Sequence, residues 1–503
     1  VRVFKLSHHS SMIDFHATID TLLSFLVTPN KEWSFCTLSF MLVFILFFAF
    51  YLFINRQRKA YMQIYVILFG LLFAYKANGT LMCLLPTTTL LSWFLTKKMM
   101  RLRRGKPRKV GLILVIFIEL FPLLYYKYSN FTLEILNNLL QSNFAFLQLL
   151  LPIGISFYTF QAISYTIDVY KERFPKTTGL LEYSFFLTFF PLLIAGPITR
   201  AETLIPQVHN PKLNDKQLIN TGLWLIICGL LKKALVADYL AQYNNWVFAD
   251  PLAYNGFENL MAVLGFTLQI YCDFSGYSDM AIGIAALMGF QLPNNFSSPY
   301  QSLNLTEFWH RWHITLSQWF RDYIYIPLGG NRKGELRTYT NTFLTMIVAG
   351  LWHGASAMFV LWGCLHGLGL MVHKFCVNRG LNRFPNTIGT KTISWAITFV
   401  YIAFAWIFFR ATNIETALSM LQQIATDFHL ADIQSFITAR LPWILLLAIG
   451  LELHSIRLND YKWLQKKFIS LPWLAKFIIF IMVIQLVINF SQNNIQPFIY
   501  TQF

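Results

Sequence analysis

Long, uninterrupted runs of apolar residues recur along the whole chain and set its fold class. The run SFMLVFILFFAFYLFI, for example, shows no alternation of apolar and polar positions. Because backbone amides and carbonyls cannot stay unpaired in lipid, such runs predict transmembrane helices rather than the alternating strands of a membrane barrel. We count about 11 spans, with two or three further re-entrant or interfacial segments. The clearest runs are Cys36–Ile54, Tyr61–Ala77, Gly79–Leu95, Val110–Tyr126, Leu149–Val169, Tyr183–Ile198, Leu218–Leu240, Leu260–Phe290, Thr342–Val372, Ile393–Phe409, Phe436–Leu451 and Leu474–Val487.

The composition supports a polytopic membrane protein. Of the 503 residues, 56% are hydrophobic and only 13% are charged, about half the charged share of a soluble domain. Such a chain lacks the polar side chains to cover a water-facing surface, and it is too hydrophobic to be disordered. The net charge of +17 does not indicate nucleic-acid binding, because lysine and arginine of membrane proteins collect in cytoplasmic loops near anionic lipids.

The basic residues also predict an orientation. The loop Lys97–Lys109 holds eight basic residues and no acid, and the loop Asn55–Lys59 holds three more. Two spans separate these loops, so both are expected on the cytoplasmic side, with the N-terminus outside. The chain starts at Val1, which leaves its native start open, and we predict no cleavable signal peptide, because the first apolar run is long enough to remain as a span. We expect an N-terminal segment, residues 1–35, and one transmembrane domain, residues 36–503.

The least membrane-like segment, Pro299–Asn341, contains an amphipathic pattern. Within Leu305–Ile324, LTEFWHRWHITLSQWFRDYI, apolar residues recur at helical spacing, which predicts one interfacial or protein-buried helix. Asn304 or Thr306 can cap its start. His313 falls on the apolar face of that helix. Taken alone, it is more typical of a hydrogen-bonded core histidine than of a functional one.

The motif GLWHGA, Gly350–Ala355, places one histidine in a strongly apolar stretch. Between Thr338 and Leu365 there is no Asp, Glu, Lys or Arg. A charged group inside a span costs a few kcal/mol, roughly, and a histidine reduces that cost by staying neutral. Neutral imidazole can accept a proton from an attacking hydroxyl, so His353 is a candidate general base. A helix-packing motif whose histidine bonds a neighbouring carbonyl explains the same residues equally well.

Two carboxylates and two further histidines lie in the same part of the chain. Asp273 and Asp279 stand in the apolar stretch QIYCDFSGYSDMAIG, where either could orient a histidine or pair with Arg321. They could equally mark a broken helix whose backbone groups need side-chain partners. His366 and His373 share a helix face, but with no Cys or acid at ligand spacing we do not predict a metal site.

Several motifs in combination resemble those of the membrane-bound O-acyltransferase family, in its bacterial branch. That branch includes alginate and peptidoglycan O-acetylation proteins and, more distantly, the D-alanyl transfer protein of teichoic acid synthesis. The resemblance covers most of the chain from about Tyr61 onward. The matching pieces are LPIGISFYTFQAISYTIDVY (Leu151–Tyr170), FFPLLIAGPITR (Phe189–Arg200), DFSGYSDMAIG (Asp273–Gly283), FWHRWHITLSQWFRDYIYIPLGGNR (Phe308–Arg332), GLWHGA (Gly350–Ala355) and PFIYTQF (Pro497–Phe503).

The resemblance implies an all-α membrane fold, a ring of about 11 tilted helices with re-entrant or interfacial helices around a central tunnel. It implies a catalytic core at about residues 269–373 and a C-terminal acyl-relay motif at residues 497–503. It further implies transfer of an acyl group, most simply acetyl, from a cytoplasmic thioester such as acetyl-CoA or an acyl carrier. The acceptor is then an extracytoplasmic polysaccharide, either peptidoglycan or an exopolysaccharide such as alginate. No bound cofactor is expected.

The resemblance also assigns residues and partners. The family's two functional histidines match His313 and His353, and its relay tyrosine matches Tyr500; His310 and Thr501 depart from the usual pattern of the family. The expected partner is an extracytoplasmic serine-esterase-like transferase of the SGNH/GDSL type, and the expected location is the bacterial cytoplasmic membrane, in contact with lipid and not with nucleic acid. The residues expected to line the substrate path are Trp309, His310, Trp312, Arg321, Asp322, Asp273, Asp279 and Trp352.

Two other function classes remain open on the residues alone. A small-anion transporter or channel also explains intramembrane His and Asp, but it predicts paired repeats with interrupted helices, and the sequence shows none. A scaffold that only anchors an extracellular transferase predicts that both histidines are dispensable. The acceptor polymer, the donor and the oligomeric state are not set by these patterns.

Overall fold

The computed structural model of the chain describes residues 28, 33–56, 58–174, 178–381, 385 and 387–490, and these residues form helices joined by turns, with no β-strand among them. The α-helices are α1 (Leu38–Asn55), α2 (Lys59–Asn78), α3 (Leu84–Arg101), α4 (Lys106–Leu123), α5 (Ser129–Leu140), α6 (Ile155–Tyr170), α7 (Leu180–Thr188), α8 (Phe190–Leu193), α9 (Ala201–Val208), α10 (Lys216–Leu230), α11 (Asp238–Ala249), α12 (Gly256–Leu287), α13 (Leu305–Arg311), α14 (Ile314–Phe320), α15 (Glu335–His353), α16 (Ala357–Asn378), α17 (Ile388–Arg410), α18 (Ile414–Thr426), α19 (Ile433–Ala439), α20 (Leu441–Ser455), α21 (Leu458–Ser470) and α22 (Trp473–Phe490). The π-helical turns are Leu124–Tyr128, Leu231–Ala237 and Arg321–Tyr325.

Six helical segments of the described chain are long and apolar enough to cross a membrane. They are Leu38–Asn55, Lys59–Arg101, Lys106–Leu140, Ala357–Asn378, Ile388–Arg410 and Trp473–Phe490. A seventh span is possible if the pair Leu430–Ala439 and Leu441–Ser455, which bends by 94°, counts as one. The all-helical polytopic fold is therefore confirmed, whereas the predicted count of about 11 spans is not.

The difference in span count arises mainly in the middle of the chain. The apolar run Leu149–Val169 yields only the 16-residue helix α6, and the run Tyr183–Ile198 breaks at Phe189 into the short helices α7 and α8. Both pieces are almost completely buried in protein. Hydrophobic length alone does not distinguish a helix buried in protein from a helix that faces lipid, so these two runs do not count as candidate spans by helix length.

Helix α12 forms the packing centre next to α10, and most of its 32 residues are buried. The two helices approach through glycines: a Cβ on Gly283 would lie 2.6 Å from the carbonyl oxygen of Gly222, and one on Gly229 would lie 2.6 Å from that of Gly276. Small residues permit this backbone approach, as in many membrane helix pairs. The run Leu260–Phe290 forms one continuous helix up to Leu287.

The amphipathic segment predicted as one helix is two. Helix α13 ends at Arg311, and α14 starts at Ile314. Between them His313 has a left-handed backbone with φ of 42°, a conformation that costs a non-glycine residue about 1–3 kcal/mol. The prediction of a single helix was therefore wrong at this position. The start of α13 is as expected, since the Asn304 side chain accepts a hydrogen bond from the Glu307 backbone N–H.

Helices α15 and α16 form a tight hairpin that ends α15 at His353. A Cβ on Gly350 would lie 2.2 Å from the carbonyl oxygen of Phe359, and one on Gly363 would lie 2.5 Å from that of Met346. The extended Gly354 then leads the chain away from the helix axis. The glycines of GLWHGA thus allow α15 and α16 to pack closely. This packing determines the position of His353 in the last turn of α15.

Candidate active site

His353 occupies the last turn of α15, enclosed by aromatic rings. Its ring centroid lies 5.0 Å from that of Trp352, 5.0 Å from that of Trp362 and 5.3 Å from that of Phe409. The residue is 3% exposed, so the imidazole is inside the protein and does not face lipid. An open tunnel beside His353, as the resemblance implied, is not evident from this enclosure, and the tunnel stays a prediction.

A half-buried lysine holds the helix end that carries His353. Lys127 Nζ donates to the carbonyl oxygens of Trp352 and His353, at 2.8 and 2.9 Å, and the Tyr128 hydroxyl donates to that of Leu351 at 2.7 Å. The last carbonyls of a helix have no partner within the helix and carry its partial negative charge. Lys127 and Tyr128 therefore supply the hydrogen bonds that terminate α15.

The local sequence explains how Lys127 reaches this position. Pro122 lies inside α4 and lacks the backbone N–H of a normal helical residue. The chain then widens into the π-helical turn Leu124–Tyr128. Such turns commonly occur at functional sites, because they rotate side chains away from regular helical positions.

The second predicted histidine lies on the other side of Trp352. The ring centroids of His313 and Trp352 are 6.0 Å apart, and His313 is completely buried. Its Nδ1 lies 3.1 Å from Oδ1 of Asn295, a residue of the turn that follows α12. The Phe274 ring packs edge-on against the imidazole at 4.6 Å. His313 and His353 thus flank one indole ring.

A third buried imidazole completes the cluster. The ring centroid of His366 lies 4.7 Å from that of Trp362 and 5.1 Å from that of Trp309. Trp362 also contacts His353. Neither ring nitrogen of His366 has a hydrogen-bond partner among the described residues. In the same part of the chain, no group of three or more His, Cys, Asp or Glu side chains is arranged to hold a metal ion.

Indole N–H groups without partners surround these histidines. Within the described chain, the buried Nε1 atoms of four tryptophans have no hydrogen-bond acceptor: Trp309, Trp312, Trp352 and Trp362. A buried donor left unpaired costs about 1–3 kcal/mol. A ligand that offers carbonyl or hydroxyl oxygens would offset that cost, which suits the site to a neutral, oxygen-bearing substrate such as an ester or thioester.

A charged cluster stands outside the candidate spans, and its Tyr323 ring lies 5.2 Å from the ring of Trp319. Asp322 bonds the guanidinium groups of both Arg200 and Arg321, and Arg200 also donates to the Tyr323 hydroxyl at 2.8 Å. Partial burial acts to raise the pKa of Asp322, but the hydrogen bond from Arg321 and the charge of Arg200 hold that pKa below its usual value. The Arg321 side chain is 60% exposed, so one cation of the cluster is open to solvent.

The two carboxylates of α12 are not part of the histidine site. Asp273 pairs with Lys233 at 2.6 Å, and Asp279 pairs with Lys232 at 2.7 Å. The expectation that either carboxylate orients a histidine or binds Arg321 was therefore wrong. Both acids instead tie α12 to the basic π-helical turn after α10, where the nearby cations compensate their burial.

The predicted site residues thus divide into groups. The structure brings His353, His313 and Trp352 together, with Trp309 reaching the same cluster through Trp362. Trp312 is buried beside Phe296 and Trp406. His310 is exposed at the end of α13 and belongs to the surface. Tyr500 lies outside the described residues, so its position relative to His353 stays a prediction.

Sequence reasoning missed three residues of the site. Lys127 immediately follows the predicted span Val110–Tyr126, and a basic residue directly at the end of an apolar run was a usable signal. His366 was considered only as a metal ligand. Asn295 gave no signal, because a polar residue in a turn is ordinary and its contact with His313 depends on a backbone conformation that periodicity cannot predict.

The fold and this site agree with one family. The chain belongs to the membrane-bound O-acyltransferase family, whose family model matches residues 69–418. It is therefore a multi-pass membrane protein and an O-acyltransferase. His313, His353 and His366 all lie inside the matched region.

Individual relatives point to the same enzyme class. The chain is 37% identical over 422 residues to the probable alginate O-acetylase of Pseudomonas putida, which covers 80% of this chain and 86% of that protein. It is 37% identical over 387 residues to the peptidoglycan O-acetyltransferase of Helicobacter pylori, with 72% and 73% covered. It is 30% identical over 338 residues to the teichoic acid D-alanyltransferase of Streptococcus thermophilus, with 61% and 77% covered.

Proposed function

We propose that the protein transfers an acetyl group from a cytoplasmic thioester to a hydroxyl group of an extracytoplasmic polysaccharide, across the bacterial cytoplasmic membrane. The observation that carries this proposal is the pair of buried imidazoles, His353 and His313, on either side of Trp352. Acetyl is favoured because the two relatives at 37% identity are both named for O-acetyl transfer. Those two are named for different polymers, so peptidoglycan and an alginate-like exopolysaccharide are both proposed as acceptors.

His353 is the general base in this proposal. The acceptor oxygen attacks the thioester carbonyl carbon while His353 takes the hydroxyl proton. The carbon–sulfur bond then breaks, and the proton passes from His353 to the leaving thiolate. A neutral imidazole suits this task, and the apolar rings around His353 favour the neutral form. His313 orients the reactants from the far side of Trp352.

Substrate access requires the aromatic enclosure to open. With His353 only 3% exposed, the thioester reaches it after Trp362 or Phe409 has moved away from the imidazole. The exposed Arg321 of the charged cluster is the proposed contact for an anionic donor. The resemblance supports Tyr500 as a relay that carries the acyl group onward to an SGNH/GDSL-type partner enzyme.

The experiment is replacement of His353 in a strain that O-acetylates its cell surface. Base-labile acetate per cell should fall to background in both His353→Ala and His353→Gln, at membrane levels of protein equal to the wild type. A matched control is His454→Ala, because His454 is also buried but accepts a hydrogen bond from the Tyr300 backbone instead of lying in the cluster. Acetate that persists in both His353 variants would reject the base assignment.

A further inference from the structure

The side-chain amide of Asn295 has an orientation that the backbone dictates. Its Oδ1 accepts from the backbone N–H of Thr315 at 3.2 Å and from the Thr315 hydroxyl at 2.9 Å. A backbone N–H can only donate, so the amide atom facing it must be the oxygen. The Thr315 hydroxyl oxygen in turn accepts from the Ile198 N–H at 3.0 Å, which leaves its proton for Asn295. Asn295 also accepts the Ile314 N–H through its backbone carbonyl, at 2.9 Å.

The fixed amide oxygen determines the protonation pattern of His313. Nδ1 of His313 lies 3.1 Å from Asn295 Oδ1, and two acceptors cannot share a hydrogen bond. Nδ1 must therefore carry the proton. In a neutral imidazole the other nitrogen then holds a lone pair and no hydrogen. That nitrogen, Nε2, is buried and has no hydrogen-bond partner in the part of the chain that the structure describes.

The surroundings of His313 favour this neutral form and a fixed ring. The groups packed against the imidazole are the uncharged rings of Phe274, Phe296 and Trp352. The left-handed backbone at His313 departs from helix α13, and the first amides of α14 bind Asn295. The strained backbone and the asparagine thus act together to set the position of one ring nitrogen.

We propose that Asn295 is a positioning residue that holds His313 as the Nδ1–H tautomer, so that Nε2 offers a lone pair to a hydrogen-bond donor of the substrate. This inference rests on the proposed function for what the substrate is. The donor is either an amide N–H of the thioester's pantetheine arm or an acceptor O–H next to the attacking one, since the attacking hydroxyl gives its own proton to His353. A lone pair would repel an oxyanion, so His313 in this form does not stabilise the tetrahedral intermediate.

The first test observes the tautomer without any activity. In full-length protein with 15N-labelled histidine, purified in micelles, subtraction of the His313→Gln spectrum isolates the His313 signals. We expect Nδ1 to be protonated in the wild type and in Asn295→Asp, which keeps the acceptor oxygen. In Asn295→Leu the proton should move at least partly to Nε2. Asn259→Leu is the control, since Asn259 is equally buried but bonds only backbone carbonyls around Pro251.

The second test distinguishes the two substrate sources by acetyl transfer from acetyl-CoA in membrane vesicles. If Nε2 accepts from the amide of the thioester, Asn295→Leu raises KM for acetyl-CoA; if it accepts from an acceptor hydroxyl next to the attacking one, kcat falls and KM for acetyl-CoA is unchanged. Either effect should be about 10- to 100-fold, and Asn295→Asp should restore most of it. A proton on Nε2 in the wild type, or kinetics of Asn295→Leu equal to those of Asn259→Leu, overturns the inference. If the tautomer follows Asn295 while His353→Ala stays active, the proposed function fails and the positioning role stands.

Discussion

Replacement of Lys127 by methionine should separate the positioning of His353 from the stability of the fold. Methionine has similar length and no charge, so the change removes both hydrogen bonds to the Trp352 and His353 carbonyls and little packing. A hydrogen bond to a charged group contributes about 1.5–3 kcal/mol, and a cation near a helix C-terminus up to about 2 kcal/mol. Relief from burying the ammonium opposes these losses. We expect a net destabilisation of about 2–4 kcal/mol, concentrated at the end of α15.

The effect on activity should exceed the effect on stability. The two lost bonds hold the residue that carries the proposed base, and a displacement of about 1 Å at a reacting group can cost about 100-fold in rate. We therefore expect kcat for acetyl transfer to fall by roughly 10- to 100-fold, with a smaller change in KM for acetyl-CoA. Lys127→Arg keeps the charge and the donors, and should recover part of kcat.

A buried lysine elsewhere in the fold offers a matched control. Lys476, on α22, donates to the Ile469 carbonyl oxygen at 2.8 Å and to the Asn220 side chain at 2.7 Å. It therefore also holds the end of a helix, α21, but a helix without a predicted site residue. Lys476→Met should lower the melting temperature by an amount similar to that of Lys127→Met while leaving kcat per folded molecule near the wild-type value.

The assay pairs thermal unfolding in detergent with initial rates in vesicles, for both lysine variants at equal amounts of folded protein. If Lys127→Met and Lys476→Met lose stability and kcat in the same proportion, Lys127 only stabilises the fold. If Lys127→Met keeps full kcat despite a lower melting temperature, the end of α15 does not position His353. Either result would refute the reasoning.

Two further predictions concern the C-terminal motif and the charged cluster. Tyr500→Phe keeps the ring and removes the hydroxyl, so cell-surface acetate should fall to background if Tyr500 relays the acyl group; acetate at the wild-type rate would make it a packing residue only. The pKa of Asp322 is held below its usual value by Arg321 and Arg200, despite partial burial. Its contribution to stability should therefore be complete above pH about 4, the range of an unfolded Asp, and be lost as the pH falls through the lower folded value. Asp322→Asn should remove that acid-dependent part of the unfolding curve, and an unchanged curve would contradict the assignment.

The fold class could be predicted from the sequence because it depends on the length of apolar runs. Apolar runs can be recognised without knowing how the helices pack. They predict the membrane class, and their ends lie close to the ends of helices such as α1 and α17. The number of spans could not be predicted in the same way. Helix α6 is as apolar as a span yet buried in protein, and only its neighbours reveal that.

The site was predictable to the extent that its residues are chemically conspicuous. His353 stands alone in an uncharged stretch, and family motifs identified His313. The roles of Asp273 and Asp279 were predicted wrongly, because their partners Lys232 and Lys233 come from a distant part of the chain. A periodic pattern also extended one helix through His313, since nothing in the local spacing signals a left-handed residue there.

What remains unpredictable follows from how a polar site is built inside a membrane protein. Charges are costly there, so the site works with neutral groups: imidazoles, indole N–H groups and the ends of helices. Neutral groups act through hydrogen bonds. Their orientation therefore matters, because it determines which atom donates and which atom accepts in each bond. Lys127 directs its amino group toward the carbonyls that end α15, and Asn295 uses an amide oxygen to fix one proton on His313. Neither residue has to contact the substrate. The chemistry of such a site therefore depends largely on residues whose type alone does not indicate a functional role.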